Sequence, residues 1–426
     1  MDILLLFSIL FIGLTVSIPV GISLGLATAI TVTVTQDIPL LMLAQVSFTA
    51  LDSFPLMAIP FFILAGTLMK NGGISKRLID LAESMVGFIT GGLAMVTTLA
   101  CMFFSAISGS GPATVSAIGS FMIPAMKEKK YNLGFAAAIT AAAGSIGVII
   151  PPSIPFVIYG VVTGASVGDM FAAGIIPGVI IGIGLMIVCY YQSKKKKYRG
   201  SNITFSFKNI INELKKSIWA LFVPIIILGG IYGGVFTPTE AAVVAIVYAI
   251  IVGFFIYKEL NYKSFYDSLK EAALINGATT FMLALSMGFA RYITIRQIPM
   301  KIASTIISFS DNMIVILLLI NLFLLIVGCF IDPISTMIIV APIFLPIVSQ
   351  FGIHPVHFGL FMTVALATGF CTPPYGPNLF IASAVSGASI EEISKNVLPY
   401  IVVMIVCLLL FTFIPSLSMF LPNLLR

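Results

Sequence analysis

Apolar residues run along this chain in long uninterrupted blocks, separated by short clusters of charge. No Asp, Glu, Lys or Arg falls within 133–168, 217–239, 241–257, 272–290, 333–390 or 396–425. A helix needs about 20 apolar residues to cross a bilayer, and several of these blocks are that long. The pattern predicts an all-α polytopic membrane protein, embedded in lipid over most of its length. Crossings are predicted over 3–17, 18–35, 52–69, 131–163, 172–192, 218–236, 240–257, 272–290, 355–386 and 397–415. Two further apolar stretches, 88–125 and 304–348, are each too long for one crossing and are read as re-entrant hairpins.

Composition agrees with that reading and closes off others. Hydrophobic residues make up 59% of the chain, charged residues only 9%, and mean hydropathy is +1.13. Soluble domains carry about 25% charge. A soluble enzyme, a disordered chain and a nucleic-acid binder are excluded, so the net charge of +6 is a topology signal instead. Lys70, Lys76 and Arg77 form one basic cluster; Lys127, Lys129 and Lys130 form a second. A third is Lys194–Lys197 with Arg199, Lys208, Lys215 and Lys216, and a fourth is Lys258, Lys263 and Lys270, with Lys395 beyond. Placing all of them in the cytoplasm orders the crossings consistently, with both termini outside. The N-terminus has no basic region ahead of its apolar run and no small-residue cleavage site, so it is expected to be a first helix and not a cleaved signal.

An internal repeat follows from the prolines. Moving 222 residues along the chain carries Pro124 to Pro346, Gly147 to Gly369, Pro151, Pro152 and Pro155 to Pro373, Pro374 and Pro377, and Pro177 to Pro399. Gly164-Ala165-Ser166 falls on Gly387-Ala388-Ser389 with one residue inserted. Proline is rare inside helices because it deletes a hydrogen bond, so matches at one offset are specific. Each half holds five crossings and a hairpin, and an odd number turns the second copy upside down. That is the inverted-topology architecture of secondary transporters, with 193–216 linking the halves.

Candidate chemistry lies where the helices break. Irregular backbone inside a bilayer is tolerated only where it is buried or lines a cavity. Gly144-Ser145-Ile146-Gly147 followed by Pro151-Pro152-Ser153 interrupts one crossing, and Gly369 through Asn378 interrupts its mate. Released carbonyls suit hard cations, while half-helix N-termini attract anions. The first hairpin turns at Ser105 through Thr114, a row of small hydroxyl residues that suits a carboxylate and a sodium ion; close helix packing is the alternative use of such residues. The second turns at Gly328 through Thr336, where Asp332 stands between two apolar runs. An ionisable residue there is expensive unless it is paired, so a cation site is expected, compatible with a helix cap before Pro333.

Other groups read as structure. Thr237-Pro238-Thr239-Glu240 spells a capping box, Trp219 an interface anchor, and Asp80, Glu83 and Asp267 parts of amphipathic interfacial stretches. His354 is expected to cap a helix starting at Pro355. Its segment, with His357, offers too few ligands for a metal, and the five cysteines show no paired spacing.

These residues resemble the large membrane subunit (DctM-type) of tripartite ATP-independent periplasmic (TRAP) transporters. The resemblance spans essentially the whole chain. Its most specific pieces are Ala58 through Gly66, Ser108 through Thr114, Ile150-Pro-Pro-Ser153, Phe236 through Ala241, Ala341 through Pro346 and His354 through Gly359. It implies an elevator-type fold like that of the ion-transporter superfamily, in a bacterial inner membrane, importing organic acid anions such as C4-dicarboxylates or sialic acid on a sodium (Na+) gradient. It also implies two partners: a small four-helix membrane subunit and a soluble periplasmic substrate-binding protein. No four-helix extension precedes the first crossing, so the small subunit is expected as a separate chain.

Carried onto this sequence, the resemblance implies a first sodium site at Ser105, Ser108, Gly109, Gly144, Ser145 and Gly147. A second would use Gly328, Asp332, Gly369 and Thr372. Substrate carboxylate would meet Ser108, Ser110, Pro152, Ser153, Tyr375 and Asn378. The domains implied are scaffold helices over 1–87, a transport domain over 88–170, a closing helix and basic linker over 171–216, scaffold over 217–303, transport domain over 304–390 and a closing helix over 391–426. Ser108 through Thr114 and Asn378-Leu-Phe look like the dicarboxylate branch, from which Tyr375 and Pro377 depart. Two readings compete: a stand-alone anion/sodium symporter of similar architecture, and a membrane-embedded enzyme. The enzyme would need several convergent ionisable groups within the bilayer, and the topology places Asp332 alone there. A channel is disfavoured, because paired hairpins give alternating access.

Overall fold

The computed structural model describes residues 2–425 apart from 17, 37, 199, 201–204, 299–300 and 302–311. The predicted start of the second hairpin at 304, the 303/304 boundary and Arg199 therefore lie outside the described residues. Those that are described fold into helices, with no strand among them.

The first half begins with α1 (Asp2–Thr15) packed on α2 (Val20–Thr35). Next comes α3 (Leu40–Leu51), for which the hydropathy pattern predicted nothing. At 12 residues it rises only about 18 Å, too short for a span and so invisible to a search for long apolar runs. α4 (Phe54–Asn71) follows, then the amphipathic α5 (Ile74–Val86), which carries Asp80 and Glu83 beside Lys76 and Arg77. α6 (Gly92–Ser108) and α7 (Gly111–Glu128) are the arms of the first hairpin. α8 (Leu133–Gly144) and α9 (Ile154–Thr163) are the two halves of one broken crossing, and α10 (Val167–Lys196) closes the half at the Lys194 cluster.

The second half repeats the order. α11 (Phe207–Tyr232), α12 (Pro238–Ile256) and α13 (Tyr262–Ile295) precede the second hairpin, α14 (Met313–Phe330) and α15 (Pro333–Gln350). The second broken crossing is α16 (Pro355–Gly369) with α17 (Pro377–Ser386); α18 (Ile390–Phe413) and α19 (Ser416–Leu425) end the chain. α7 and α15 start and stop 222 residues apart, Gly111 to Glu128 against Pro333 to Gln350. The repeat is therefore structural. Its largest departure is that the 34 residues of α13 are continuous where the first copy breaks into α3 and α4 at Asp52-Ser53.

Capping explains the shared boundaries. Gly164 and Gly387 end α9 and α17 in the left-handed conformation, at φ 76° and 74°, which glycine adopts without a Cβ penalty. Two residues later Ser166 and Ser389 open α10 and α18, accepting hydrogen bonds from the N–H groups of Asp169 and Glu392. The capping box at Thr237 forms as predicted, with the Thr237 N–H donating to Glu240 Oε2 over 2.8 Å. His354 caps α16 by accepting from the Val356 N–H. His357, buried, lies 2.6 Å from Ser418 Oγ and 3.2 Å from the Thr412 carbonyl, pinning the short α19. The Trp219 ring lies tilted against Phe222, and the Trp219 carbonyl accepts from the Tyr248 hydroxyl.

Two groups of helices emerge from the packing. α2, α3 and α4 lie on α13, with α4 also on α12 and α5 on α11. In the other group the repeats interlock: α9 packs on α15, α17 on α7 and α8, and α8 on α18. Most of the largest buried side chains, among them Tyr159, Phe156, Phe358 and Phe361, fill this second group, while Phe62, Phe289 and Tyr292 fill the first. Tyr159 donates to the Pro355 carbonyl in the other repeat over 2.7 Å. α5 and α4 touch α6, and α13 touches α15, so the hairpin arms carry contacts between the groups. Among the described residues eight helices are long and apolar enough to cross a membrane; each broken crossing reaches that length only as a pair of halves.

Candidate functional site

The hairpin tips and the breaks meet in the interlocked group. At the first tip Gly109 turns the chain at φ 62°, its N–H held by the Ser105 carbonyl. Its own carbonyl accepts the Ile154 N–H at 3.2 Å, tying the tip to the first break. Ser110 then caps α7 through the Ala113 N–H. Ser108 Oγ lies 2.9 Å from Thr114 Oγ1, and the latter donates to the Ser110 carbonyl over 2.8 Å. A Cβ at Gly147 would stand 2.6 Å from the Ser110 carbonyl oxygen, so only glycine admits the break this close to the tip. Gly144 abuts Val115, and a Cβ at Gly111 would be 3.3 Å from the Gly144 carbonyl and 3.4 Å from the Phe370 ring.

The first proposed sodium set thus falls in one region. Ser108, Gly109, Gly144 and Gly147 surround the tip. Ser145 donates to the Ala141 carbonyl, and Ser105, fully buried, donates to the Cys101 carbonyl. The second set is looser. Gly328 and Gly369 touch backbone to backbone, a Cβ at Gly369 falling 2.7 Å from the Gly328 Cα. Thr372 Oγ1 donates to the Thr368 carbonyl. Asp332 caps α15, its Oδ1 accepting from the Ser335 N–H over 3.0 Å. Asp332 also lines a cavity of about 130 Å³ that it shares with Gly109, Ser110, Ile154 and Phe370. Both tips and both broken crossings contribute to its wall.

The substrate set divides. Ser108 and Ser110 line a separate cavity of about 400 Å³. The Pro152 carbonyl sits against Gly109, and the buried Ser153 caps α9 while donating to the Val148 carbonyl over 2.6 Å. Asn378 is fully buried and bridges the repeats: its Nδ2 donates to the Ala141 carbonyl over 3.1 Å and to Ser145 Oγ over 3.0 Å. Its Oδ1 has no protein partner. A buried acceptor left open this way is costly unless another donor or a cation meets it. Tyr375 stands apart, 53% exposed, its ring tilted against Phe380 and lining a different cavity with Phe11, Pro19 and Phe330.

Sequence reasoning passed over the roles of four residues. Thr114 was part of the hairpin motif but was given no role; its position four residues after Ser110 returns it to the tip. Phe370 closes the space between the tips. Lys70 and Glu271 lie on helices far apart in the chain, and no local signal joins them.

A helical membrane protein with two hairpins and two broken crossings in inverted repeats has the architecture of a secondary transporter. The same fold occurs in the crystal structure of the Alcanivorax borkumensis YdaH transporter, with a TM-score of 0.63 over 87% of each chain at 14% identity. More particularly, residues 7–417 match the family described as the tripartite ATP-independent periplasmic transporter, DctM component, and the chain belongs to that family. The isethionate TRAP transporter permease protein DctMQ of Oleidesulfovibrio alaskensis is 48% identical over 96% of this chain, which spans 64% of that relative's length. The C4-dicarboxylate TRAP transporter large permease protein DctM of Pseudomonas aeruginosa is 42% identical over 89% of both chains. The sialic acid TRAP transporter permease protein SiaT of Haemophilus influenzae is 38% identical over 98% of this chain and 67% of its own.

Proposed function

We propose that this chain is the translocation subunit of a sodium-coupled importer of small organic anions. It would work in a bacterial inner membrane with both termini periplasmic, beside a small membrane subunit, and take its anion from a periplasmic binding protein. The cargo class is a carboxylate or sulfonate, the chemistry common to the isethionate, C4-dicarboxylate and sialic acid of the relatives' names.

The observation that carries this reading is the convergence of both tips on one small cavity, with Asp332 in its wall and Asn378 Oδ1 open nearby. Sodium is a hard cation that takes carbonyl, hydroxyl and carboxylate oxygens, and the tips supply all three. In the proposed order sodium binds first and fixes the tips. The anion then docks at the hydroxyls of Ser108 and Ser110, its charge offset by the bound cation. Finally the interlocked group, α6–α10 with α14–α18, moves as one body against α1–α5 and α11–α13. An anion crossing alone against the potential would cost about 2.3 kcal/mol per charge per 100 mV. Two or more sodium ions per divalent anion remove or reverse that cost.

Uptake of succinate and isethionate into vesicles carrying the complex tests it, with sodium exchanged for choline at matched ionic strength. Sodium-dependent accumulation is expected. Equal uptake in choline ends the sodium scheme, and uptake by this subunit with neither partner present would favour a stand-alone symporter.

A further inference from the structure

A second cavity, of about 400 Å³, lies between the two helix groups and runs from the first hairpin tip to an ion pair. One wall is a single face of α4, carrying Gly66, Thr67 and Lys70 at helical spacing. Gly66 meets the tip itself: a Cβ there would lie 3.5 Å from the Ser108 Cα. At the tip end stand Ser108 and Ser110, and at the far end Lys70 Nζ lies 3.1 Å from Glu271 Oε1 of α13. The pair is weakly held. Its side chains are 33% and 41% exposed, and Glu271 is the carboxylate that meets Lys70. Lys70 also belongs to the basic clusters that fix the cytoplasmic face.

Resting on the anion-import reading, we propose that Lys70 is a carboxylate- or sulfonate-binding residue on the cytoplasmic release path, with Glu271 as its built-in competitor. The chemistry is an exchange of partners. An anion leaving the hydroxyls of Ser108 and Ser110 enters a cavity whose lysine, Lys70, is already neutralised by a carboxylate of the protein. It binds Lys70 only by displacing Glu271, which keeps the stop brief and returns to close the pair once the anion has gone. A bare lysine would hold the anion, and a cavity with no lysine would offer it no cation on the way out. Glu271 thus sets the affinity of the cytoplasmic side without touching the anion.

This assigns opposite effects to the two members of one ion pair, which a purely structural bridge does not. The test measures equilibrium binding of succinate and of isethionate to the purified complex, with wild type, Lys70→Gln, Glu271→Gln and the double variant. Glu271→Gln is expected to bind either anion roughly fivefold tighter, the scale of freeing one half-exposed charge from its partner. Lys70→Gln is expected to bind about fivefold more weakly, and the double variant to match Lys70→Gln. If both single variants move in the same direction, or the double variant recovers the wild-type value, the pair is a strut and the proposal fails. Glu271→Gln decides alone should Lys70→Gln not fold, since unchanged or weaker binding refutes competition. A wild-type complex that binds and transports neither anion overturns the import reading itself, and this proposal with it.

Discussion

The two hairpins occupy equivalent places in the repeat, yet their tips are built differently. The first is uncharged, three small residues at Ser108, Gly109 and Ser110, and it is anchored to its neighbour by the Gly109–Ile154 backbone hydrogen bond. The second is Ile331 and Asp332, and the bonds to Asp332 are local: Ser335 N–H to Asp332 Oδ1 and Thr336 Oγ1 to the Asp332 carbonyl. At the second break the position matching Ile154 is Gly376, whose N–H turns inward to the Thr372 carbonyl instead of reaching the tip. Their arms differ too. α6 is buried along most of its length, whereas α14 exposes Leu318, Leu319, Leu322 and Ile326. One tip is therefore tied to the neighbouring break by a protein hydrogen bond. The other places a charge where protein bonds across elements are few, as expected of an element that a bound cation completes.

Variants at Asp332 should break this contrast most sharply. Asp332→Asn keeps a residue that can cap α15 and removes the charge, while Asp332→Ala removes both. Both are expected to shrink the sodium-specific rise in melting temperature, by as much as the ~2.7 kcal/mol that one site contributes at a hundredfold excess over Kd. Only the alanine variant should lose a further ~1 kcal/mol of stability without sodium. A full sodium response in Asp332→Asn would remove the second tip from the cation site. Next come the glycines. Gly109→Ala places a Cβ in a left-handed turn, 2.7 Å from the Pro152 carbonyl, and Gly369→Ala places one against the Gly328 backbone. Each is expected to cost about 1–3 kcal/mol by thermal or detergent unfolding, and Gly109→Ala should in addition lower anion affinity, because it moves Ser108 and Ser110.

Asn378→Ala removes the bridge from the second break to Ala141 and Ser145, and should cost on the order of 1–3 kcal/mol. Asn378→Asp puts a carboxylate at the open acceptor, and stronger sodium stabilisation in that variant would place a cation beside it. The smallest effect is expected from Ser110→Ala. It removes one cap, about 1 kcal/mol, and should weaken anion binding while leaving the sodium response intact, the reverse of the Asp332 result.

Much of this could be read in the chain before it folded. Matching prolines at one offset marked both breaks, because proline acts within a turn or two of itself; α10 and α18 begin earlier than the predicted 172 and 397, at the Ser166 and Ser389 caps that close the repeated triplets. α3 escaped, since 12 residues leave no long run, and so did the continuity of α13, since nothing local says which of two repeat copies keeps its helix whole.

The site follows the same division. Sequence named the tips, the breaks and Asp332, because glycine, proline and a charge inside apolar runs are conspicuous in isolation. Tertiary structure decided which of these meet. It drew Asn378 across to Ala141 and Ser145, turned Tyr375 away to a different cavity, and set Lys70 beside Glu271. Those pairings join residues about two hundred positions apart, and side-chain packing between helices, which has no local signature, chooses among them.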